Sequence, residues 1–489
     1  MTAATTTAAP RLPSPWLSLD DVVRVTRGVV AVPAGPNAAA AFTEAAIDSR
    51  AIQGGELFVP LPGGKCDGHD FVAAALDAGA AGTLARSGWG VPEETVRRGK
   101  PVISVSDPLA ALQALARHCR DRAGIPVVAV TGSNGKTTTK EMIAAVLGSR
   151  LRVHKNVGNL NNQIGLPLTM TRLRPEHQVM TLELAMRARG EIAELARICR
   201  PDVGVLTVAA EAHLERLGSL EAIAEAKSEL AEAISSTGLL ILNADDSRLW
   251  PMNRNRPVPI RSFATENAEA DLRPSRLSVT TEGGTRFTLP DGTSFALSLL
   301  GRHNVRNALA AILVGDHFGV PRADAAAALA AMPAPAHRLE LVRAGGLLVL
   351  DDCYNANPAS MGEALYLLGA IETEGARRAV LGDMLELGPK AESFHEAVGR
   401  QIPPGAWLYV AGGFAAAVAR GAAAAGADAA RVRRFDDVDA MAAVVRADAK
   451  AGDLVLVKGS RGMRLERVVD ALAPGRAGNA AAMAAAGKE

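Results

Sequence analysis

The chain has 489 residues, of which 48% are hydrophobic and 21% are charged. This length is too great for one compact hydrophobic core, so we expect two to four domains with the composition of an ordinary globular protein. The formal net charge of +1 argues against a general nucleic-acid binder, since affinity for a phosphate backbone needs a clear basic excess.

The N-terminal segment "MTAATTTAAPRLPSPW" lacks the basic start and the apolar run of a signal peptide. No uninterrupted apolar stretch reaches the ~20 residues that span a bilayer. The four cysteines are too far apart in sequence for a C-x-x-C metal or redox site; they are Cys66, Cys119, Cys199 and Cys353. We therefore expect free thiols, a cytoplasmic location and no membrane partner.

Residues 1–106 are predicted to form a small mixed α/β domain. Short apolar runs, "ELFVPL" and "PVISV", are interleaved with the alanine-rich stretch "DFVAAALDAGAAGTLA". A helix is predicted in "SDPLAALQALARHCRDRAG", with a hinge at Asp107-Pro108.

Residues 107–334 are predicted to form a central α/β domain. Its runs "IPVVAV" and "PDVGVLTV" lack polar alternation, as expected of parallel strands covered on both faces. The stretch "LSVTTEGGTRFTLPDGTSFALSLL" predicts antiparallel strands joined by Gly-Gly and Asp-Gly turns.

Residues 335–489 are predicted to form a third domain after the proline-rich connector "AMPAPAHRLE". Four short strands, "LLVLDD", "RRAVLGDM", "WLYVAGG" and "DLVLVKGS", alternate with helical stretches. This pattern indicates a doubly wound, Rossmann-like sheet whose strand ends would hold ligands. The tail "GNAAAMAAAGKE" has low complexity.

The stretch "AVTGSNGKTTTKEM", residues 129–142, is a candidate phosphate loop. Gly132 and Gly135 permit a tight turn, Lys136 supplies a charge, Thr137 offers a hydroxyl to Mg²⁺, and a helix begins there. The usual pattern has a glycine where this chain has Val130. The alternative is a glycine-rich turn with a solvated lysine, but a strand before and a helix after favour a nucleotide site. Motor or transport ATPases, kinases, GTPases and ligases remain open.

Two candidate metal ligands follow the loop. Glu183 lies in the apolar run "TLELAM", where a carboxylate is costly unless it is paired or binds a metal. His213 follows the strand "VGVLTV", although a single histidine is more often structural.

Lys227 lies on the apolar stripe of the helix "SLEAIAEAKSELAEAISS". Its stem could simply carry the ammonium out to water. The functional hypothesis is that the Lys227 amine is desolvated and reacts with CO₂. The resulting carbamate would be an anion able to bind Mg²⁺.

Several further motifs resemble those of the Mur ligases, the ATP-dependent amide-forming enzymes of peptidoglycan precursor synthesis. They cover roughly residues 40–470 and include "GGKCDGHDF", "GNLNNQIGLPLT", "GRHNVRNALAA", "DDCYNANPASM", "LGDMLELG" and "KGSRGMRLE". The family's loop is built on T-G-S-N-G-K-T-T, which accounts for Val130. Absence of a D-N-P-R motif separates the chain from the members that add diaminopimelate or lysine. Folylpolyglutamate synthases share the loop but not the "DGHDF" region.

The resemblance implies that ATP activates the carboxylate of a UDP-MurNAc-tripeptide as an acyl phosphate, which the amine of D-Ala-D-Ala attacks. It implies ATP and two Mg²⁺ ions as cofactors, small-molecule substrates only, a monomer, and closure of the third domain onto ATP. The alternatives are a sister ligase with another amino acid, and a P-loop ATPase that serves as a conformational switch. Whether the tripeptide ends in diaminopimelate or lysine stays open.

The resemblance also assigns residues. The expected catalytic residues are Lys136, Asn162, His213, Lys227 and Arg338. The expected nucleotide contacts are Thr131, Gly132, Ser133, Asn134, Gly135, Lys136, Thr137, Thr138, Asn304, Asn307, Arg338 and Asp351. The expected metal ligands are Thr137, Glu183, His213 and Lys227. The expected substrate contacts are Ser49, Arg50, Asp67 and His69 for the UDP-sugar, and Tyr354, Asn355, Asn357, Lys458 and Ser460.

Overall fold

The computed structural model describes residues 14, 16–36, 39, 41–64, 66–212, 214–280, 284–334 and 336–474. Its sheets fall within the three predicted sequence ranges. None of the helices in the described part of the chain has the length and apolar character that crossing a membrane requires.

The first unit is a five-stranded sheet in the order β1-β5-β4-β3-β2, in which only the β1–β5 pair is antiparallel. Its strands are β1 Val29–Val32, β2 Ala45–Ala46, β3 Leu57–Phe58, β4 Gly82–Arg86 and β5 Val102–Val105. Its helices are α1 Leu19–Thr26, α2 Val72–Asp77 and α3 Glu93–Arg97, with 3-10 turns at Ser49–Ala51 and Gly68–Phe71.

Helix α4, Pro108–Ala123, joins the first unit to the central one. The Asp107 side chain caps it by accepting from the backbone N–H of Leu109 at 2.8 Å, and proline occupies the first turn, where its missing N–H costs nothing. The dipeptide Asp107-Pro108, at which a hinge is predicted, forms the start of this helix. Buried residues of α4 belong to a hydrophobic core that contains side chains of both units.

The central unit is a six-stranded parallel sheet in the order β11-β10-β9-β6-β8-β7. Its strands are β6 Val127–Thr131, β7 Val153–Lys155, β8 Val179–Glu183, β9 Val203–Leu206, β10 Leu239–Asn243 and β11 Ile260–Phe263. Residues of β6, β8, β9 and β10 are buried throughout, which explains the apolar runs without alternation. Ligands of such sheets bind outside the carboxyl ends of the strands, where Thr131, Glu183 and Asn243 lie.

The helices of the central unit cover both faces of its sheet. They are α5 Lys136–Gly148, α6 Gly165–Thr171, α7 Glu191–Cys199, α8 Leu214–Leu217, α9 Leu220–Ala233, α10 Leu249–Asn253, α11 Arg302–His317 and α12 Arg322–Ala331. The predicted antiparallel strands form a separate three-stranded sheet of β12 Arg276–Thr280, β13 Gly284–Thr288 and β14 Ser294–Leu297.

The third unit is a six-stranded sheet in the order β15-β16-β20-β17-β18-β19, parallel except for the β15–β16 hairpin. Its strands are β15 Glu340–Ala344, β16 Leu347–Asp352, β17 Arg377–Leu381, β18 Trp407–Ala411, β19 Val432–Phe435 and β20 Leu454–Lys458. Its helices are α13 Pro358–Ala370, α14 Ala391–Gly399, α15 Ala415–Ala424, α16 Val438–Asp448 and α17 Glu466–Leu472. The four predicted strands are present. The two edge strands β15 and β19 were not predicted, because neither contains a fully buried residue and so neither reads as an apolar run.

Candidate active site

A cavity of about 330 Å³ lies between the central and third units. The phosphate loop, the carboxyl end of β8 and helix α11 line it from the central side. The segment around Arg338, the end of β16 and the start of α13 line it from the other side. Residues far apart in sequence thus face one space.

The two predicted loop glycines are required by packing. Gly132 has a φ of 156°, and a Cβ on it would lie 1.8 Å from the Thr207 hydroxyl. Gly135 has a φ of 82°, and a Cβ on it would lie 2.6 Å from Asn307 Oδ1. Val130, by contrast, is fully buried within β6, so its position needs an apolar strand residue and no glycine.

Helix α5 begins at Lys136 without a side-chain cap, so its first N–H groups are available to an anion. Lys136 Nζ donates to the carbonyls of Gly132 at 2.8 Å and Ser133 at 3.1 Å. Burial lowers the pKa of Lys136, the nearby Glu183 carboxylate raises it, and Arg338 lowers it further. Gly135, Lys136, Thr137 and Thr138 line the cavity with Ser133 and Asn134. Thr131 does not, since its hydroxyl is buried and donates to the Leu184 carbonyl at 2.9 Å.

Oxygen atoms that could bind a metal ion lie beside the phosphate loop. Thr137 donates its hydroxyl to Glu183 Oε2 at 2.7 Å, and Asn161 Nδ2 donates to Glu183 Oε1 at 2.8 Å. Glu183 is only 3% exposed. A hydroxyl beside a nearly buried carboxylate is the donor set that Mg²⁺ prefers, so these residues fit the metal. His213, the third predicted ligand, lies outside the described residues.

Lys227 is buried on α9 with an exposed fraction of 2%. Burial lowers the pKa of Lys227 well below its usual value, and the positive charge of Lys136 lowers it further, while Glu229 opposes the shift. No hydrogen bond or ion pair to its amine is found within the described ranges. The amine is therefore not carried out to water as a snorkelling lysine would be.

Arg338 reaches from the third unit to the phosphate loop. Its Nη2 donates to the Thr137 hydroxyl at 3.2 Å, and its guanidinium carbon lies 4.0 Å from the centroid of the Tyr354 ring. The residues on either side, His337 and Leu339, have positive φ angles of 61° and 50°, an uncommon conformation for non-glycine residues. This local backbone points Arg338 into the cavity.

Asp351 and Asp352 point in opposite directions because they are consecutive on β16. Asp351 is fully buried; its Oδ2 lies 2.8 Å from His337 Nδ1 and its Oδ1 accepts from the Cys353 thiol at 3.0 Å. His337, Asp351 and Cys353 lie close enough together to resemble a metal site. The hydrogen bonds among them explain this proximity without a metal ion. The carboxylate that lines the cavity is Asp352, so the predicted contact of Asp351 with the nucleotide is not supported by this arrangement.

Asp352 forms an ion pair with a nearly buried lysine. Lys458 Nζ, at the end of β20, lies 2.6 Å from Asp352 Oδ2 and donates to the Asn355 carbonyl at 3.0 Å. Lys458, Tyr354 and Asn355, which are predicted to contact substrate, line the cavity. Ser460 does not line it; its hydroxyl accepts from the backbone N–H of Leu385 at 2.9 Å.

Asn304 and Asn307 lie one turn apart on α11 and line the cavity. Asn307 Nδ2 donates to Asn304 Oδ1 at 3.0 Å, and Asn307 Oδ1 accepts from Thr139 at 3.1 Å. The two amides are therefore held in fixed orientations beside the phosphate loop.

Asn162 does not join the cluster. It is exposed, and its Oδ1 accepts from the backbone N–H groups of Ile164 and Gly165. Its neighbour Asn161, which sequence reasoning did not select, contacts Glu183. The doublet "NN" was the available signal, but it does not say which asparagine points toward β8.

The four residues predicted for the UDP-sugar stay in the first unit, outside this cavity. His69 is buried; its Nδ1 lies 2.7 Å from Asp67 Oδ1 and its Nε2 accepts from the backbone N–H of Arg86. Arg50 pairs with Asp48 within its own turn, next to Ser49. The UDP-sugar contacts stay predictions.

Three sequence profiles match the chain. They are described as "Mur ligase family, catalytic domain" at residues 42–120, "Mur ligase middle domain" at 130–315 and "Mur ligase, glutamate ligase domain" at 337–461. Together they span the three units.

Curated relatives of the chain carry the name UDP-N-acetylmuramoyl-tripeptide–D-alanyl-D-alanine ligase, and two of them illustrate the likeness. That of Bacillus subtilis is 40% identical over 429 residues, 87% of this chain and 92% of the relative. That of Escherichia coli is 39% identical over 359 residues, 72% of this chain and 77% of the relative.

Solved structures show the same likeness. MurF from Acinetobacter baumannii superposes with a TM-score of 0.83 at 27% identity, covering 95% of this chain and 99% of that one. MurF ligase from Thermotoga maritima in complex with ADP gives 0.76 at 29% identity, with coverage of 88% and 96%.

Proposed function

Because the chain belongs to the Mur ligase family, we propose that it joins D-Ala-D-Ala to a UDP-MurNAc-tripeptide at the expense of ATP, giving UDP-MurNAc-pentapeptide, ADP and phosphate. The observation that carries the proposal is the meeting of Lys136, Glu183 and Arg338 at one cavity. A phosphate loop, an acidic group and an arginine from another unit are the parts that phosphoryl transfer needs.

The reaction has two steps. A carboxylate oxygen of the tripeptide attacks the γ-phosphorus of ATP, the bond to the β-phosphate oxygen breaks, and an acyl phosphate and ADP form. The dipeptide amine then attacks the acyl carbon, and the tetrahedral intermediate expels phosphate as the amine loses a proton. The first step brings two anions together, so it depends on charge neutralisation more than on a nucleophilic side chain.

The chain's residues divide this work. Lys136 and the N–H groups at the start of α5 hold the β- and γ-phosphates, while Arg338 approaches from the opposite wall of the cavity. Thr137 and Glu183 would hold Mg²⁺, with His213 as a further ligand. The metal would supply charge neutralisation at the phosphates.

Lys227 is proposed to act as a carbamate. Burial lowers the pKa of Lys227, which favours the neutral amine over the ammonium. In the proposed step the neutral amine's nitrogen adds to the carbon of CO₂ and releases one proton, so that a group that could carry a positive charge becomes an anion. That anion would complete a second metal site near the acyl phosphate, which the unmodified amine could not do.

The test is product formation with purified protein, ATP and Mg²⁺. Phosphate release should require both UDP-MurNAc-tripeptide and D-Ala-D-Ala, and mass spectrometry should show the pentapeptide. Parallel reactions with the diaminopimelate and lysine tripeptides identify the substrate, and Lys136→Ala serves as the inactive control. Equal phosphate release without the dipeptide would reject the ligase and favour an ATPase switch; another amino acid accepted in place of the dipeptide would indicate a sister ligase.

A further inference from the structure

Two asparagine side chains join the phosphate loop directly to the third unit. Asn134 Nδ2 donates to Asn357 Oδ1 at 3.1 Å, and Asn357 Nδ2 donates to Asn134 Oδ1 at 2.6 Å. The two carboxamides thus form a reciprocal pair across the cavity, between residues 223 positions apart.

Asn357 is held rigidly on its side of the cavity. It is the N-cap of α13, where its Oδ1 accepts from the Ser360 N–H at 2.9 Å and its own N–H donates to the Ser360 hydroxyl at 3.1 Å. Its exposed fraction is 5%. Both lone pairs of Oδ1 are therefore committed, one to the helix and one to Asn134, so this oxygen has no capacity left for a substrate.

Asn134 is held on the other side by the backbone of the phosphate loop. Its carbonyl accepts from the Thr207 hydroxyl at 2.6 Å, and the next residue, Gly135, packs against Asn307. The side chain therefore projects from a base that two elements of the central unit fix. Asn134 belongs to the loop that is proposed to hold the phosphates, so its side chain links that loop to the third unit.

We propose that Asn134 and Asn357 form an amide latch that stabilises the closed arrangement of the third unit on the nucleotide site. Both are positioning residues: they act by bringing Arg338 to the phosphates and not by touching reacting atoms. This reassigns Asn357 from the predicted dipeptide contacts to domain closure. This inference depends on the proposed ligase function only in the measurement of kcat/KM.

The size of the effect follows from two neutral hydrogen bonds between partly buried groups. Losing such a pair should raise the ratio of open to closed molecules about ten-fold. Closure and nucleotide binding are linked, so the same loss should weaken the apparent affinity for ATP.

The test compares the wild type with Asn134→Ser, Asn357→Ser and the double variant. Serine is an effective N-cap and carries no charge, so Asn357→Ser keeps the start of α13 while losing the reach to Asn134. Small-angle scattering with AMP-PNP and Mg²⁺ measures closure without any amide product. In each single variant, the ratio of open to closed molecules should be about ten-fold higher than in the wild type. The kcat/KM for ATP should be about ten-fold lower. The double variant should equal the worse single variant.

Asp437→Ser is the matched control. Asp437 caps α16, accepting from the Ala440 N–H, and this exchange should leave scattering and kinetics at wild-type values. Unchanged closure in the variants, losses that add in the double variant, or a fall in kcat with normal closure would each overturn the latch. If Asn357→Ser fails to fold, the scattering of Asn134→Ser alone decides. If the wild type does not catalyse the ligase reaction, the proposed function is rejected. The scattering measurement still tests the latch in that case.

Discussion

The guanidinium of Arg338 lies 3.2 Å from the hydroxyl of Thr137, although 201 residues separate them in sequence. Thr137 stands in the first turn of α5, directly after the phosphate-loop lysine, and Arg338 stands where the third unit begins. The Tyr354 ring lies against the guanidinium and restricts its orientation. A delocalised cation held there can stabilise charge on a phosphoryl group that Lys136 holds from the other side.

Arg338→Ala should lower kcat by roughly 100- to 1000-fold, because a preorganised cation at the developing charge is removed. Arg338→Lys should recover little, since an ammonium lacks the planar fork and stacks poorly on Tyr354. Steady-state phosphate release measures both. Arg343→Ala, an exposed arginine on β15, should behave as wild type. Activity of Arg338→Ala within five-fold of wild type would exclude this role.

Lys227→Ala should be nearly inactive and should regain part of its activity with acetate or bicarbonate, because a small carboxylate can occupy the position of the proposed carbamate. Phosphate release with and without the added anion measures the rescue. Lys390→Ala, an exposed lysine, is the control and should not respond. Full activity in Lys227→Ala without any anion would remove the carbamate from the mechanism.

The carbamate should also set a pH dependence. Only the neutral amine adds CO₂, and burial lowers the pKa of Lys227 well below its usual value, so the carbamate should form at a lower pH than on an exposed lysine. As the pH falls through that lowered pKa, the amine is protonated and the carbamate is lost. NMR with ¹³C-bicarbonate should show a signal that fades toward acid pH and is missing from Lys227→Ala.

Glu183→Gln should weaken binding of divalent metal at least ten-fold, since the amide keeps the volume but loses the charge that attracts a hard cation. Electron paramagnetic resonance of Mn²⁺ with AMP-PNP measures the binding. Glu225→Gln changes an exposed carboxylate that pairs with Arg189 and should leave Mn²⁺ binding unaltered. Equal affinities of Glu183→Gln and wild type would place the metal elsewhere.

Lys458→Met should destabilise the protein by roughly 3 kcal/mol, because it leaves the Asp352 carboxylate without its partner in a nearly buried site. Urea unfolding measures the loss. Adding Asp352→Asn should restore part of the stability, since no uncompensated charge remains. If the double variant is as unstable as the sum of the single ones, the pair is not coupled.

His154 should contribute to acid sensitivity. Burial lowers the pKa of His154 to about 4, partly offset by the bond from its Nε2 to the Thr169 carbonyl. The folded state therefore binds this proton less readily than the unfolded state, and stability is lost as the pH falls from 6.5 toward 4, by up to about 3 kcal/mol. His154→Gln keeps a donor for Thr169 but does not titrate. Its unfolding midpoint should fall less than that of wild type between pH 7.5 and 4.5; parallel falls would assign the sensitivity to other groups.

Sequence patterns predict a structural feature correctly where one local property of the chain determines that feature. The glycines of the loop, the start of α5 and the buried strands of the central sheet follow from φ requirements and hydrophobic patterning. Sequence patterns do not show which of two adjacent residues enters the site. This applies to Asn161 and Asn162, and to Asp351 and Asp352. Both members of each pair have the same chemistry, and the direction of each side chain depends on what packs around it.

The sequence by itself determined the nucleotide loop, the order of three α/β units and the membership of the family, because these depend on residue types at fixed local spacing. Only the tertiary structure decided which side chains share the cavity. The pairs Arg338–Thr137 and Asn134–Asn357 span more than 200 residues, and their contact depends on how two sheets direct the carboxyl ends of their strands toward each other. That geometry is set by the packing of the whole central and third units, and no local pattern encodes it.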